Sequence, residues 1–190
     1  MKTATKFALL SALPLMASCA PYDYQMNAGH VISCRVLTPL PTVEQGGLVT
    51  TLHDSGAINM SYYGATEYVV TMDMKLVKGN GFRVLIRPDV EQRDVLDSGI
   101  ALTVTPHGTT LDSVHHTFID RSDIRMAEGA QLPLSILSEN NLTQVVLGCD
   151  TVYKGWTKRM ESDDVVIESL PGSEVLVIRP DWNAPPGIVW

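Results

Sequence analysis

A group of closely spaced acids is the first feature of this sequence that could do chemistry. Asp89, Glu91, Asp94 and Asp97 lie between two strand-like segments, and carboxylate oxygens in a loop are ligands that Ca²⁺ prefers. The spacing matches no EF-hand loop, and nearby arginines would neutralise part of the charge. Two interpretations therefore stay open, a calcium site and a plain exposed loop, and no other cofactor is expected.

The sequence contains no complete catalytic motif. It has no G-x-S-x-G nucleophile elbow, no H-E-x-x-H zinc motif and no phosphate-binding glycine loop. His115 and His116 are adjacent, so on a strand they would face opposite sides and could not both bind one metal ion without distortion. We therefore expect a protein that is not an enzyme.

The N-terminal segment predicts export and attachment to a membrane. Lys2 and Lys6 precede a short apolar run, and Ala17-Ser18-Cys19 follows it, which is the order of a signal peptide with a small-residue cleavage site. The ending resembles the bacterial lipobox, in which the cysteine carries the lipid. Residues 1–18 are then a signal peptide, Cys19 anchors the chain, and residues 19–30 form a tether. An ordinary signal peptide cleaved nearby and an uncleaved anchor are the alternatives, and all three place the domain outside the cytoplasm.

Two other cysteines remain, Cys34 and Cys149. Their number is even, and an exported protein lies in a compartment that permits disulfides. We predict that they form a disulfide, which would stabilise the fold by up to about 4–5 kcal/mol in the chain-entropy model. Two buried free thiols are the alternative.

The charge of the chain argues against nucleic acid as a partner. The protein has 14 Lys and Arg against 21 Asp and Glu, a net charge of −7. Binding to a phosphate backbone relies on clustered lysines and arginines, and the part that follows the signal peptide contains no basic run.

Period-two alternation of apolar and polar residues predicts an all-β domain over residues 31–179. The segment Tyr68–Leu76 alternates, a turn follows at Lys78–Gly81, and Phe82–Arg87 resumes the alternation, which is typical of a hairpin. A short helical turn is allowed at Leu132–Ser138. Many short strands between glycine, proline and aspartate turns indicate an antiparallel sandwich or jelly roll. The further predicted strands are 31–37, 99–105, 114–120, 142–149, 164–168 and 174–179.

The order of these strands and turns resembles the concanavalin A-like jelly rolls, which include the laminin G-like domains. The resemblance rests on the hairpin of residues 68–87 and on the segments 97–104, 141–153 and 172–179. It implies a carbohydrate-binding module as one function, for which Tyr62, Tyr63 and Trp156 are the aromatic candidates.

The resemblance also implies a glycoside hydrolase as a possible function. The hydrolases of this fold have two carboxyl groups that face one cleft. Glu161 and Asp163 would share a face of a strand, but Glu168 has the opposite parity. The catalytic pair is therefore absent where it was expected, and a hydrolase is the last-ranked function.

The C-terminal residues 180–190 are rich in proline and hold Trp182 and Trp190. Aromatic residues of this kind are favoured at interfaces, so an extended tail that binds a partner is one interpretation. A tail that covers an edge strand of its own sheet is the other. The leading hypothesis is a lipid-anchored, non-enzymatic binding or scaffold domain that docks onto a larger membrane or envelope protein complex.

Lipid attachment at Cys19 can be tested directly. Mass spectrometry of the protein isolated from its native membrane should find Cys19 as an acylated N-terminus. The Cys19→Ser control should leave the membrane fraction, because stable anchoring needs the acyl chains. An intact Met1, or an unmodified N-terminus near Cys19, would contradict the prediction.

Overall fold

The structure, a computed structural model, describes ten stretches of the chain and shows them to be almost entirely β-strand. These are residues 22–25, 31–38, 42–46, 48–62, 68–89, 94–113, 119–121, 123–139, 142–156 and 163–183. In this part of the chain no helix is long and apolar enough to cross a membrane. The predicted signal peptide and Cys19 lie outside the described residues.

The described residues form fifteen strands. In chain order they are β1 (Tyr22–Gln25), β2 (Val31–Val36), β3 (Val43–Gly46), β4 (Val49–His53), β5 (Ala57–Tyr62), β6 (Tyr68–Lys78), β7 (Phe82–Asp89), β8 (Asp94–Val104), β9 (Thr109–Ser113), β10 (Ile119–Arg121), β11 (Gln131–Glu139), β12 (Leu142–Leu147), β13 (Asp150–Trp156), β14 (Asp163–Ser169) and β15 (Glu174–Asn183).

These strands make two antiparallel sheets that pack as a sandwich. One sheet has eight strands in the order β1-β2-β5-β14-β7-β8-β9-β10, and the other has seven in the order β13-β12-β11-β6-β15-β4-β3. Strands that are distant in sequence lie side by side, as β14 does between β5 and β7. The predicted all-β antiparallel sandwich is confirmed.

Alternate residues of the strands fill the core between the sheets. On β6 the apolar positions Val70, Met72, Met74 and Leu76 are at most 3% exposed, and the residues between them are half-buried. This matches the predicted half-buried strand, because successive side chains of a strand point to opposite faces. The other sheet contributes residues such as Val84, Ile86, Ile100, Leu102, Val165 and Ile167 to the same core.

Two segments differ from their sequence-based predictions. The stretch for which a helical turn was allowed, Leu132–Ser138, belongs to strand β11, which pairs with β6 on one side and β12 on the other. Burial of Leu134 and Ile136 on alternate positions outweighs the weak local preference. The predicted tether contains β1 (Tyr22–Gln25), which pairs with β2.

The last strand extends further than the sequence indicated. Strand β15 continues to Asn183 and pairs Trp182 with Val70 of β6, so Trp182 belongs to the sheet and not to a free tail. A bulge between Ile178 and Asp181 allows this, because a proline without an N–H can be accommodated where the ladder of hydrogen bonds is interrupted. Trp190 lies outside the described residues.

The same bulge sequence occurs a second time in the chain. Ile-Arg-Pro-Asp stands at residues 86–89 of β7 and at 178–181 of β15, and the pairing register shifts at both places. Arg87 and Arg179 both have a positive φ, 55° and 49°. The two arginines therefore occupy the same strained backbone position, one in each sheet.

The structure does not support the predicted disulfide between Cys34 and Cys149. Cys149 is a free, exposed thiol in the turn between β12 and β13. Cys34 lies on β2, at the opposite side of the sandwich. β7 faces β11, because Arg87 donates to the hydroxyl of Ser138, and β14 contacts β4. β12 and β13 therefore lie toward the β9–β10 edge, which is the far edge of the sheet from β2.

A buried serine organises the turn between β6 and β7. The Ser173 side chain accepts hydrogen bonds from the backbone N–H groups of Asn80, at 2.8 Å, and Gly81, at 3.0 Å. Gly81 has a φ of 123°, and a Cβ built on it would lie 2.0 Å from the carbonyl oxygen of Val104. Only glycine fits this position without movement of the neighbouring strand.

Substitution of Gly81 tests this packing. Gly81→Ala should lower the free energy of unfolding by about 2 kcal/mol or more, which corresponds to a fall in Tm of about 4–8 °C for a domain of this size. Gly46→Ala is the matched control, because nothing lies within 4 Å of its Cβ position, and it should change stability by less than about 1 kcal/mol. Equal effects of the two substitutions in thermal denaturation would contradict the argument.

Candidate functional site

Positions that the sequence analysis assigned to separate sites lie at the same end of the sandwich. Tyr62 ends β5, Trp156 ends β13, and Asp89 and Asp94 stand opposite each other at the β7–β8 connection. Trp182 pairs near the start of β6 at the same end. The predicted aromatic, acidic and tryptophan positions therefore share one end of the sandwich, on strands of both sheets.

The remaining predicted site residues lie outside the described residues or on β8. Tyr63, Glu91 and Trp190 lie outside the described residues, and Asp97 is placed by its backbone on β8. Among the side chains that the structure describes, no group of three or more His, Cys, Asp or Glu could hold a metal ion. Calcium at the acidic loop stays a prediction.

The outer face of the eight-stranded sheet is the side directed away from the core. On β7 and β14 the residues Val84, Ile86, Val165 and Ile167 belong to the core, so alternate residues such as Leu85 face outward. The outward row at the middle of this face runs across four strands through Asn59, Val166, Leu85 and Ala101. Val166 and Leu85 are fully buried there, so the fold covers the apolar strip that they form.

A hydrogen-bond network of three polar side chains lies beside this strip. Asn59 donates from Nδ2 to the Ser61 hydroxyl and to Asp164 Oδ1, both at 2.9 Å, and Ser61 donates to the same carboxylate oxygen. Asn59 and Ser61 are 6% and 5% exposed. The Oδ1 atom of Asn59 is buried and has no hydrogen-bond partner in the part of the chain that the structure describes. One acceptor of the network is therefore unused, and an unused buried acceptor is costly.

An ion pair lies on the other side of the strip. Arg83 Nη2 and Glu168 Oε2 are 3.2 Å apart, and the two residues are directly opposite on β7 and β14. The side chain of Arg83 is 32% exposed and that of Glu168 15%. The outer face thus carries charged and amide groups on both sides of an apolar strip.

The carboxylates of this face do not have the spacing of a glycosidase pair. Asp164 and Glu168 both face outward on β14, four residues apart, which separates their Cα atoms by about 13 Å at the rise of a strand. Retaining and inverting glycosidases hold their carboxyl groups about 5–5.5 Å and about 6.5–9.5 Å apart. Each acid is also held by a neighbouring strand, Asp164 by Ser61 and Glu168 by Arg83.

The sequence analysis missed Asn59, Ser61 and Asp164 as site residues. The signal was present in β5, where Asn59 and Ser61 alternate with the core residues Ile58 and Met60. The sequence did not indicate which strand pairs with β5. Asp164 is 103 residues away from Ser61, and the two side chains meet because β14 lies beside β5.

Comparisons with known proteins agree with the fold. No family model and no curated protein match this sequence, but solved structures do. A functionally unknown protein from Saccharomyces cerevisiae has a TM-score of 0.61 at 11% identity, over 81% of this chain and 97% of its own. The carbohydrate binding module CBM66 from Bacillus subtilis has a TM-score of 0.57 at 9% identity, over 80% and 95%. The exoplasmic/lumenal domain of VIP36, in a form bound to Ca²⁺ and Man3GlcNAc, has a TM-score of 0.51 at 7% identity, over 84% and 86%. At such identities the likeness shows the fold alone, and this chain is a jelly-roll β-sandwich.

Proposed function

We propose that this protein is a carbohydrate-binding domain, and that the outer face of its eight-stranded sheet contacts the glycan. The observation that carries the proposal is the network of Asn59, Ser61 and Asp164, with its unused acceptor, beside the apolar strip. Among the structures of similar fold are a carbohydrate binding module and a domain solved with Man3GlcNAc, which supports this class of ligand.

The chemistry of the face suits a sugar ring. A hydroxyl group both donates and accepts, so one sugar can accept from the partly exposed Arg83 guanidinium and, once the cover of the strip is displaced, donate to the buried Asn59 Oδ1. The C–H groups of the ring would pack against the partly exposed Ala101, because Val166 and Leu85 are fully buried, in the usual arrangement of a few placed polar groups among apolar contacts. No covalent step is needed, in keeping with the expectation of a non-enzymatic protein.

Docking onto a membrane or envelope protein complex stays a prediction. The sequence arguments for it were the missing catalytic motifs, the acidic charge and a tail with two tryptophans, and of these tryptophans Trp182 belongs to β15. This weakens the argument for the tail, so glycan binding is the function that we favour.

Binding to immobilised glycans tests the proposal. The full-length protein should bind at least one glycan on an array of neutral and acidic structures. Asn59→Ala should weaken that binding about tenfold, because one hydrogen bond contributes about 1–1.5 kcal/mol. Calorimetric titration with the best glycan gives the Kd.

A matched control separates loss of binding from loss of the fold. Gln144 is an amide on the outward side of the other sheet, 3.4 Å from the Thr151 hydroxyl, and Gln144→Ala should bind as the wild type does. Thermal denaturation of both variants should show that each is folded. A wild-type protein that binds no glycan, or a folded Asn59→Ala that binds with unchanged Kd, would refute the proposal.

A further inference from the structure

A pocket on the opposite sheet has its own set of polar groups. It lies on the outward side of the seven-stranded sheet, has a volume of about 380 Å³, and is lined on three strands by Thr71, Asp73, Ser135, Arg179 and Pro180, with Leu48 at its rim. That volume falls within the range of small-molecule sites, roughly 300–1,000 Å³.

The bulge in β15 creates this pocket. Ile178 pairs with Asp73 and Asp181 pairs with Thr71, so Arg179 and Pro180 together stand opposite the single residue Met72, and β15 has one extra residue there. The backbone N–H of Arg179 donates instead to the carbonyl of Leu48, at 2.7 Å. The side chain of Leu48 is 55% exposed, which is unusual for a large apolar residue in the described part of this chain.

The two arginines of the repeated bulge sequence have different surroundings. Arg87 is 2% exposed and donates from Nη2 to the hydroxyl of Ser138 on the other sheet, at 2.7 Å, so it ties the two sheets together. Arg179 is exposed, and its guanidinium makes no hydrogen bond or ion pair within the described residues. Strain at a non-glycine residue persists where the surrounding structure or the function needs it. At Arg87 the buried contact explains the strain, and at Arg179 the fold offers no such contact.

The other polar groups of the pocket are also available. Asp73 accepts one hydrogen bond, from Gln131 at 3.1 Å, and keeps its other oxygen free of side-chain partners among the described residues. The hydroxyls of Thr71 and Ser135 make no side-chain hydrogen bond there either. The pocket thus offers a cationic donor, an anionic acceptor and two hydroxyls between apolar walls.

We propose that this pocket is a second glycan site, for a neutral sugar residue. One positive and one negative side chain balance each other, which favours a ligand without net charge over an anion or a cation. Vicinal hydroxyls of a sugar can accept from Arg179 and donate to Asp73 at the same time, while Leu48 and Pro180 pack against its C–H groups. The site lies on the opposite side of the sandwich from Asn59, so one molecule could bridge two glycan chains and gain avidity.

The strained backbone gives a sharp test with two parallel variants. Arg179→Gly removes the guanidinium and relieves the positive φ, so it should keep or raise the Tm while weakening binding of neutral saccharides about tenfold. Arg87→Gly makes the same backbone change, but it should lower the Tm because it removes the buried contact to Ser138. Arg125→Gly, at an exposed position outside the pocket, is the binding control. The probes are neutral manno-, gluco- and fructo-oligosaccharides and acidic oligogalacturonate, each titrated against the full-length chain.

The outcomes distinguish this site from the one on the eight-stranded sheet. Weakened binding of a neutral saccharide by Arg179→Gly and by Asp73→Asn, with that binding retained in Asn59→Ala, supports the pocket even if the outer-face proposal fails. Glycan binding that depends on Asn59 and is unchanged in Arg179→Gly overturns the pocket and leaves the outer-face site intact. Binding of oligogalacturonate alone through Arg179 also overturns it, because the ligand would then be an anion. A wild-type chain that binds no saccharide overturns both proposals.

Discussion

Alternate side chains of each strand are buried between two antiparallel sheets, and the rest of the structure depends on this constraint. Because successive residues point to opposite faces, core residues such as Val84 and Ile86 leave Leu85 on the outer face. The same parity puts Asn59 and Ser61 outward between Ile58 and Met60. The burial that holds the sandwich together thus also decides which polar groups a ligand can meet.

The bulges at the two Ile-Arg-Pro-Asp sequences are the places where this alternation is interrupted. Each lies where the pairing register shifts and holds an arginine at a positive φ. In β7 the arginine turns inward and joins the sheets through Ser138. In β15 it turns outward and separates the strand from β6, which opens a pocket. The same four-residue sequence therefore joins the two sheets at β7 and lines a surface pocket at β15.

Both outer faces carry polar groups beside apolar residues, and on the eight-stranded sheet Asp164 and Glu168 stand too far apart for a glycosidase pair. A network of amide, hydroxyl and carboxylate groups suits recognition of hydroxyl-rich ligands, since these groups supply both donors and acceptors. Two such faces on one rigid sandwich give a simple geometry for holding glycans on opposite sides.

Local pattern in the sequence determined the fold class. Period-two alternation and turn residues were enough to predict the antiparallel sandwich, the hairpin of residues 68–87 and the inward face of β6, because these depend on neighbours along the chain. The candidate site needed the tertiary structure. Asp164 joins Ser61 through the insertion of β14 between β5 and β7, Trp182 continues β15 past a proline because a bulge interrupts the ladder, and Cys149 lies far from β2. Strand order decides each of these. It depends on which strands bury their faces best against each other across long sequence separations, and no local segment of the sequence contains that information.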